Sequence, residues 1–238
     1  MIQSIDLIPC FHLSLKMRNL AKITTLAATW VLSQNAFAIL DLQAGIGNRT
    51  GTFSPDSSRA ADSSLEGQTM QASAHFHVLP IPMFTLGVGL GISTFSSNDK
   101  AKVAYTGSDT TVEASASLDN ISGLSVGPDV IFGVSIPATD LMPFLRYNYA
   151  LNVWKGKATI DVGVETQTFD AALKGTGSIM GLGLAWSPIP LFAITGEYQM
   201  QNDELSVPEV KTSGGINFPK AENKFKSTTI LVGAMFNL

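Results

Sequence analysis

From Leu40 onward the chain alternates between apolar and polar or small residues. The stretch Phe144 to Trp154 shows it most plainly: Leu145, Tyr147, Tyr149, Leu151 and Val153 stand opposite Arg146, Asn148, Ala150 and Asn152. A period of two over this length predicts a β-strand, because successive side chains point to opposite faces. Seven further segments alternate in the same way. Leu40 to Asn48 sets Leu42 and Ile46 against Asp41 and Gln43, and about Gln68 to Leu79 sets Met70, Phe76 and Val78 against Gln71, His75 and His77. Phe84 to Phe95 opposes Leu86, Val88, Leu90 and Ile92 to Gly87, Gly89, Gly91 and Ser93. In the segment from about Ile121 to Ile136, Leu124, Val126, Val130 and Phe132 face away from Ser125, Gly127 and Asp129, and the internal Pro128 predicts a bulge. Ser178 to Trp186 pits Met180, Leu182 and Leu184 against glycines, while Leu191 to Gln201 pits Ile194, Tyr198 and Met200 against Thr195, Glu197 and Gln199. The last, Lys224 to Leu238, places Ile230, Val232, Ala234, Phe236 and Leu238 on one face and Thr229, Leu231, Gly233 and Met235 on the other.

The connections alternate in length. Three are short and carry proline: Leu79 to Met83, Ile136 to Pro143, and Ser187 to Pro190. Proline cannot donate to a ladder, so it punctuates the strand ends. Phe84, Phe144 and Phe192 follow these prolines and are expected to form an aromatic girdle at one interface. Phe144 has the wrong parity for that role, which calls for a bulge or a bend beside it. Four connections are long and polar: about Arg49 to Gly67, Ser96 to Asn120, Lys155 to Gly177, and Asn202 to Asn223. Within them, Ala101 to Tyr105 with Thr111 to Ser117, and Ala158 to Val164 with Gln167 to Leu173, read as hairpins. Short turns on one side and long loops on the other is the arrangement of an outer-membrane barrel. A soluble up-and-down barrel would have the opposite polarity, with polar residues outside. Here the second face is largely Gly, Ser, Asn and Gln, too small and polar for a dry core, so the aromatic and branched face is assigned to lipid.

An apolar final strand exposed as a sheet edge would be an aggregation hazard, and pairing it with the first strand removes that hazard. Its Gly233, Phe236 and Leu238 resemble the C-terminal assembly signal of bacterial outer-membrane barrels, with Leu231 at the usual polar position and Leu238 in place of the terminal aromatic. The eight strands, the loop asymmetry and this ending are similar to the small outer-membrane proteins of the OmpA membrane-domain and OmpX kind over about Ile39 to Leu238. The fold expected is therefore all-β, an eight-stranded antiparallel up-and-down transmembrane β-barrel. The resemblance implies a location in the outer membrane of a Gram-negative bacterium, with membrane lipids, lipopolysaccharide and the barrel assembly machinery as partners.

The N-terminal region changes the picture only by adding a leader. Met17 to Ala38 carries Arg18 and Lys22, an apolar run from Ile23 to Leu32, and the small-x-small site Ala36-Phe37-Ala38. This predicts a cleavable signal peptide at 17–38, an over-extended start at 1–16, and a barrel domain at 39–238. Leu7 to Cys10 is a poor lipobox, since Pro9 stands where a small residue is wanted. Cleavage would remove Cys10, the single cysteine, and with it any thiol chemistry or thiolate metal site. The formal charge is −4, and no basic stripe stands out for nucleic acid.

Candidate chemistry gathers on the face assigned to the lumen: Asp41, His75, His77, Asp129, Arg146 and Glu197. Charges inside a narrow barrel are costly unless paired, so Arg146 is expected to pair with Glu197 or Asp129. A register-fixing plug is the favoured reading, and a gate in which Arg146 switches acidic partners is the sharper one that the resemblance to OmpA allows. His75 and His77 could ligate a metal with Asp41 or Asp129, but hydrogen-bonded lumen histidines are the preferred reading, so no metal or cofactor is expected. No nucleophile, base and orienter share a recognisable spacing, which argues against an enzyme. The long loops hold polar residues with scattered apolar ones, such as Ile216 and Phe218, and offer a surface partner a place to bind. The sequence thus favours a structural or surface-interaction role with at most a narrow pore. A channel for small solutes or hydrophobic molecules is the alternative.

Overall fold

The computed structural model describes residues 40–55, 62–78, 83–103, 115–161, 166–207, 210–211, 217–218 and 221–238. The leader, with Ala36 and Ala38, lies outside the described residues, as do the prolines Pro80 and Pro82 and the tips of the long connections.

The described chain is all strand and turn. Eight long strands make the wall: β1 (Leu40–Pro55), β2 (Ser63–His77), β3 (Phe84–Ser97), β5 (Ser115–Val134), β6 (Leu141–Asp161), β7 (Thr166–Ile189), β8 (Phe192–Val207) and β11 (Ala221–Asn237). Three short ones, β4 (Ala101–Val103), β9 (Val210–Lys211) and β10 (Asn217–Phe218), belong to the long connections. Each long strand pairs antiparallel with its chain neighbours, and β1 pairs with β11 from Asp41↔Asn237 to Pro55↔Asn223, closing the ring. At the rim this seam is sealed by reciprocal bonds, Leu238 N–H to Leu40 O at 2.7 Å and Leu40 N–H to Leu238 O at 3.2 Å. The closed ring leaves no edge along the wall.

Side-chain parity divides the wall into an outside and an inside, and the two change chemistry with height. Around the middle the outward residues are apolar, among them Leu90, Leu151, Leu182, Ile230 and Val232, and the inward ones are polar. Towards the long-loop end the parity continues while the chemistry inverts. On β6, outward Tyr147, Tyr149, Leu151 and Val153 give way to Lys155 and Lys157, and inward Arg146, Asn148 and Asn152 give way to Trp154 and Ala158. A belt facing lipid, continued by a segment facing water around its own apolar core, accounts for the inversion. The strands therefore run well past the positions where alternation with an apolar outer face stops. The long connection expected over Lys155 to Gly177 is largely strand: the hairpin expected within it is present, with Ala158 opposite Phe169 and Thr159 opposite Thr168, and it is continuous with β6 and β7.

Two local expectations are corrected. Phe144 does not join an outer girdle: it is 2% exposed and points inward with no register shift around it. Gly183 lies across the ladder from it, and a Cβ there would overlap the Phe144 ring, so the glycine makes the room the ring fills. Phe84 and Phe192 do lie at the short-turn end, where Phe192 meets Phe236 edge-on at 5.3 Å and Phe84 stacks on Phe132 at 6.2 Å. Pro128 marks no bulge either. Its pairing with Leu90 is in step, and the register against β6 is the same on both sides of it. Its missing N–H falls where the β5–β6 ladder skips Gly127 and Pro128, so no regular pairing is displaced. The irregularities lie instead between Asp119 and Ser122, and between Trp186 and Ile189.

Candidate functional site

The inward rows of eight strands converge on an axis, and their order along it makes three layers. At the short-turn end Ile131, Phe144, Ala185, Ala193 and Met235 form an apolar floor, with Met142 packed against it. At the long-loop end Phe53, Leu65, Phe95, Leu118, Ile121, Trp154, Leu173, Leu205 and Phe225 form the core of a larger roof. Trp154 meets the Phe225 ring at 4.9 Å and the Phe95 ring at 5.4 Å. Sequence reasoning expected the inner face to be too small and polar for a dry core. That holds for the belt but not for the two ends, which sit at lumen-facing positions of the same strands.

Between floor and roof lies a charged layer. Asp41 from β1 and Asp129 from β5 grip His75 from β2: Nδ1 is 2.7 Å from Asp41 Oδ1, and Nε2 is 3.1 Å from Asp129 Oδ2. His77 Nε2 stands 2.8 Å from the other Asp41 oxygen, nearer the short-turn mouth. Arg146 reaches across from β6, with Nη1 3.3 Å from Glu197 Oε2 and Nε 3.7 Å from Asp129 Oδ2. It also donates to Gln43 and, at 3.4 Å, to Ser73 Oγ. Gln199 donates to Glu197 at 2.8 Å and to Gln71 at 2.7 Å, tying β8 to β2. All six candidate side chains thus meet in one network drawn from β1, β2, β5, β6 and β8. Both His75 nitrogens face carboxylate oxygens, and the ring is fully buried. Neither nitrogen is available to a metal or a substrate. Among the described residues, no group of three or more His, Cys, Asp or Glu could hold a metal ion.

A second polar group lies between this network and the roof, and the sequence reading left it inside connections. Arg49 is buried, donates to Thr229 at 3.3 Å and Thr69 at 3.5 Å, and lays its guanidinium over the Phe95 ring at 5.2 Å. Asp203, its counter-charge, accepts from Asn152 at 2.8 Å and from Gln201 at 2.7 Å. A signal was present: Arg49 keeps the inward parity of Asp41 and Gln43, and Asp203 that of Glu197 and Gln199. Where Arg146 approaches Glu197, the lumen holds a cavity of about 10 Å3, room for one water molecule.

The C-terminal residues lie where closure is made. Gly233 pairs with Gly45 and Thr195, while Phe236 and Leu238 face outward near the short-turn rim.

No family model matches the chain, and no curated protein matches it in sequence. Solved structures do resemble it in fold. The outer membrane protease OmpT from Escherichia coli is similar at 8% identity, over 84% of this chain and 96% of that one, with a TM-score of 0.51. Neisserial surface protein A is similar at 14% identity, over 84% of this chain and 97% of that one, with a TM-score of 0.44. The attachment invasion locus protein Ail of Yersinia pestis is similar at 12% identity, over 82% and 98% of the two chains, with a TM-score of 0.35. The fold is that of a Gram-negative outer-membrane β-barrel.

Proposed function

We propose that this barrel does its work at the raised, loop-bearing end, as a structural and surface-interaction protein of the outer membrane with at most a narrow pore. The observation that carries the reading is the aromatic roof of Trp154, Phe95 and Phe225 over a charged layer with room for about one water molecule. An eight-stranded barrel has an interior just wide enough for side chains to fill it, and here both ends and the middle are filled. Arg146, Asp129, Glu197, Asp41, His75 and His77 then act as a pinned charge network that fixes which strands face one another across the lumen. The reading as a non-enzyme is supported by the burial of His75 between two aspartates, out of a substrate's reach. Gly233, Phe236 and Leu238 are read as the contact with the assembly machinery, and the long connections as the contact with a surface partner.

Planar-bilayer recording and liposome swelling test the reading. Barrels whose closure is checked by a mobility shift on boiling are expected to give no stable conductance steps and no swelling in small sugars. Steady openings that Arg146→Ala alters would favour the gated pore instead, and rapid sugar uptake would favour the solute channel.

A further inference from the structure

Two copies of a barrel that pair in one membrane stand the same way up. A closed pair therefore has its two-fold axis along the membrane normal, and residues at equal heights to the left and right of that axis meet. The ladders give the heights. Floor residues Phe144, Ala185 and Ala193 share a level, yet Phe144 pairs with Gly183 and Ala185 with Thr195, each two residues nearer the long loops. Ladder rows thus climb from strand to strand towards β11, β1 and β2. With strands about 4.8 Å apart and tilted near 40°, the climb is about 3 Å per strand, and two residues along a strand rise about 5 Å.

On the outer wall, the two flanks of β1 match at each height. Glu66 on β2 pairs with Thr50, and Lys226 on β11 pairs with Thr52. The climb lifts Glu66 about 3 Å above Thr50 and leaves Lys226 about 2 Å above it, so an acid and a base flank β1 at one height. One step lower, Gln68 on β2 and Thr228 on β11 lie about 2 Å and 3 Å below Thr50. Below them Met70 and Ile230 lie about 7 Å and 8 Å down. All six side chains are exposed. Among the described residues neither Glu66 nor Lys226 is in an ion pair, and Glu204, diagonal to Lys226, stands on its β8 side, away from β1. Between the flanks β1 presents Ile46, Asn48 and Thr50, which line a groove of about 580 Å3 together with Gln68, Thr228 and Ile230.

We propose that this face binds a second copy of the chain, with the two-fold axis passing beside Thr50. Glu66 then meets the partner's Lys226, and Lys226 meets the partner's Glu66. Two acids or two lysines at these places would repel across the axis; one of each attracts twice. Gln68 meets the partner's Thr228, Met70 meets the partner's Ile230, and Asn48 faces the partner's Asn48 in the groove. Amides and hydroxyls both donate and accept, so these polar side chains suit a copy of the same row, whereas an acyl chain leaves them without a hydrogen bond. The contact uses the wall and leaves the loop-bearing ends free for another partner.

The test is disulfide cross-linking of the barrel in vesicles at several protein-to-lipid ratios, with Cys10→Ser so that an introduced thiol is the only one. Thr50→Cys, at the axis, should form cross-linked dimers roughly tenfold faster than Leu151→Cys on β6. Glu66→Lys and Lys226→Glu, each added to Thr50→Cys, should each lower the yield roughly tenfold, because like charges then face each other twice. Mixed in equal amounts, these two variants should recover the yield as a heterodimer, since every contact between positions 66 and 226 is again of opposite sign. The mobility shift on boiling verifies that every variant is closed. Equal cross-linking at Thr50→Cys and Leu151→Cys would overturn the proposal, as would unchanged yields in both charge variants or a mixture no better than its parts. Monomers at every ratio, with a lipid retained in native mass spectrometry, would overturn it in favour of a lipid on this face.

Discussion

Replacing Arg146 by alanine is expected to destabilise the barrel by about 3–5 kcal/mol, the usual consequence of stripping one partner from a buried ion pair. The guanidinium is 1% exposed and lies 3.3 Å from Glu197 and 3.7 Å from Asp129. At an effective dielectric of about 20, each contact amounts to roughly 4–5 kcal/mol of gross Coulomb attraction, set against the desolvation of three buried charges. Without Arg146, among the described residues Glu197 keeps the Gln199 amide at 2.8 Å and Asp129 keeps His75 at 3.1 Å. Both carboxylates lie buried between the floor and the roof, where the space beside Glu197 holds about one water molecule. The assay is urea-induced unfolding of the barrel in vesicles, followed by tryptophan fluorescence and by the boiled and unboiled gel mobilities. Adding Glu197→Gln to Arg146→Ala removes the orphaned charge and should recover at least about 1.5 kcal/mol. A single-variant loss under about 1 kcal/mol, or strict additivity in the double variant, would refute the claim that charge pairing holds the lumen together.

Three other outcomes follow, two from the same geometry and one from the leader motif. Leu182→Arg, in the lipid-facing belt, should cost about 2–4 kcal/mol, whereas Thr52→Arg beside Lys226 should cost about 0–1 kcal/mol, both read from unfolding in vesicles. Gly89→Ala drives a Cβ into the Ala74 carbonyl and should cost about 1–3 kcal/mol. Gly196→Ala, with open space around it, should stay within about 0.5 kcal/mol of the parent. Mass spectrometry of the exported protein should find Ile39 at its N-terminus, and a chain that still carries residues 17–38 would refute the leader reading.

Much of this architecture was legible because parity in a strand cannot be negotiated. Once Tyr147 faces lipid, Arg146 and Asn148 must face the axis, and the same rule places Asp129, His75 and Glu197. The reading failed where hydrophobicity, rather than parity, was used to decide where a strand ends. At Lys155 the outer face turns from lipid to water while the inner face turns from polar to Trp154 and Ala158, so the pattern shows a separate hairpin above the belt where β6 and β7 in fact run on without a break. Arg49 and Asp203 were lost for the same reason. Phe144 was assigned by its kinship with Phe84 and Phe192, although its parity already pointed inward, and Gly183 opposite shows what accommodates it. Which inward residues touch was never legible. Arg146 reaches Gln43 and Ser73 because ring closure brings β6 opposite β1 and β2, and no pattern local to one strand encodes that.

The length of β7 has a mechanical consequence. Its lipid-facing residues run only from Met180 to Ile189, yet the strand begins at Thr166. At a rise of about 3.3 Å per residue and a tilt near 40°, the remainder lifts its tip roughly 35 Å above the bilayer. With Phe95, Trp154, Leu173 and Phe225 packed inside, that lift is a braced mast rather than a tether. Contacts made by this raised segment are therefore held above the lipid-facing belt rather than at it. A rigid mount also loses less freedom on contact than a floppy one of equal reach.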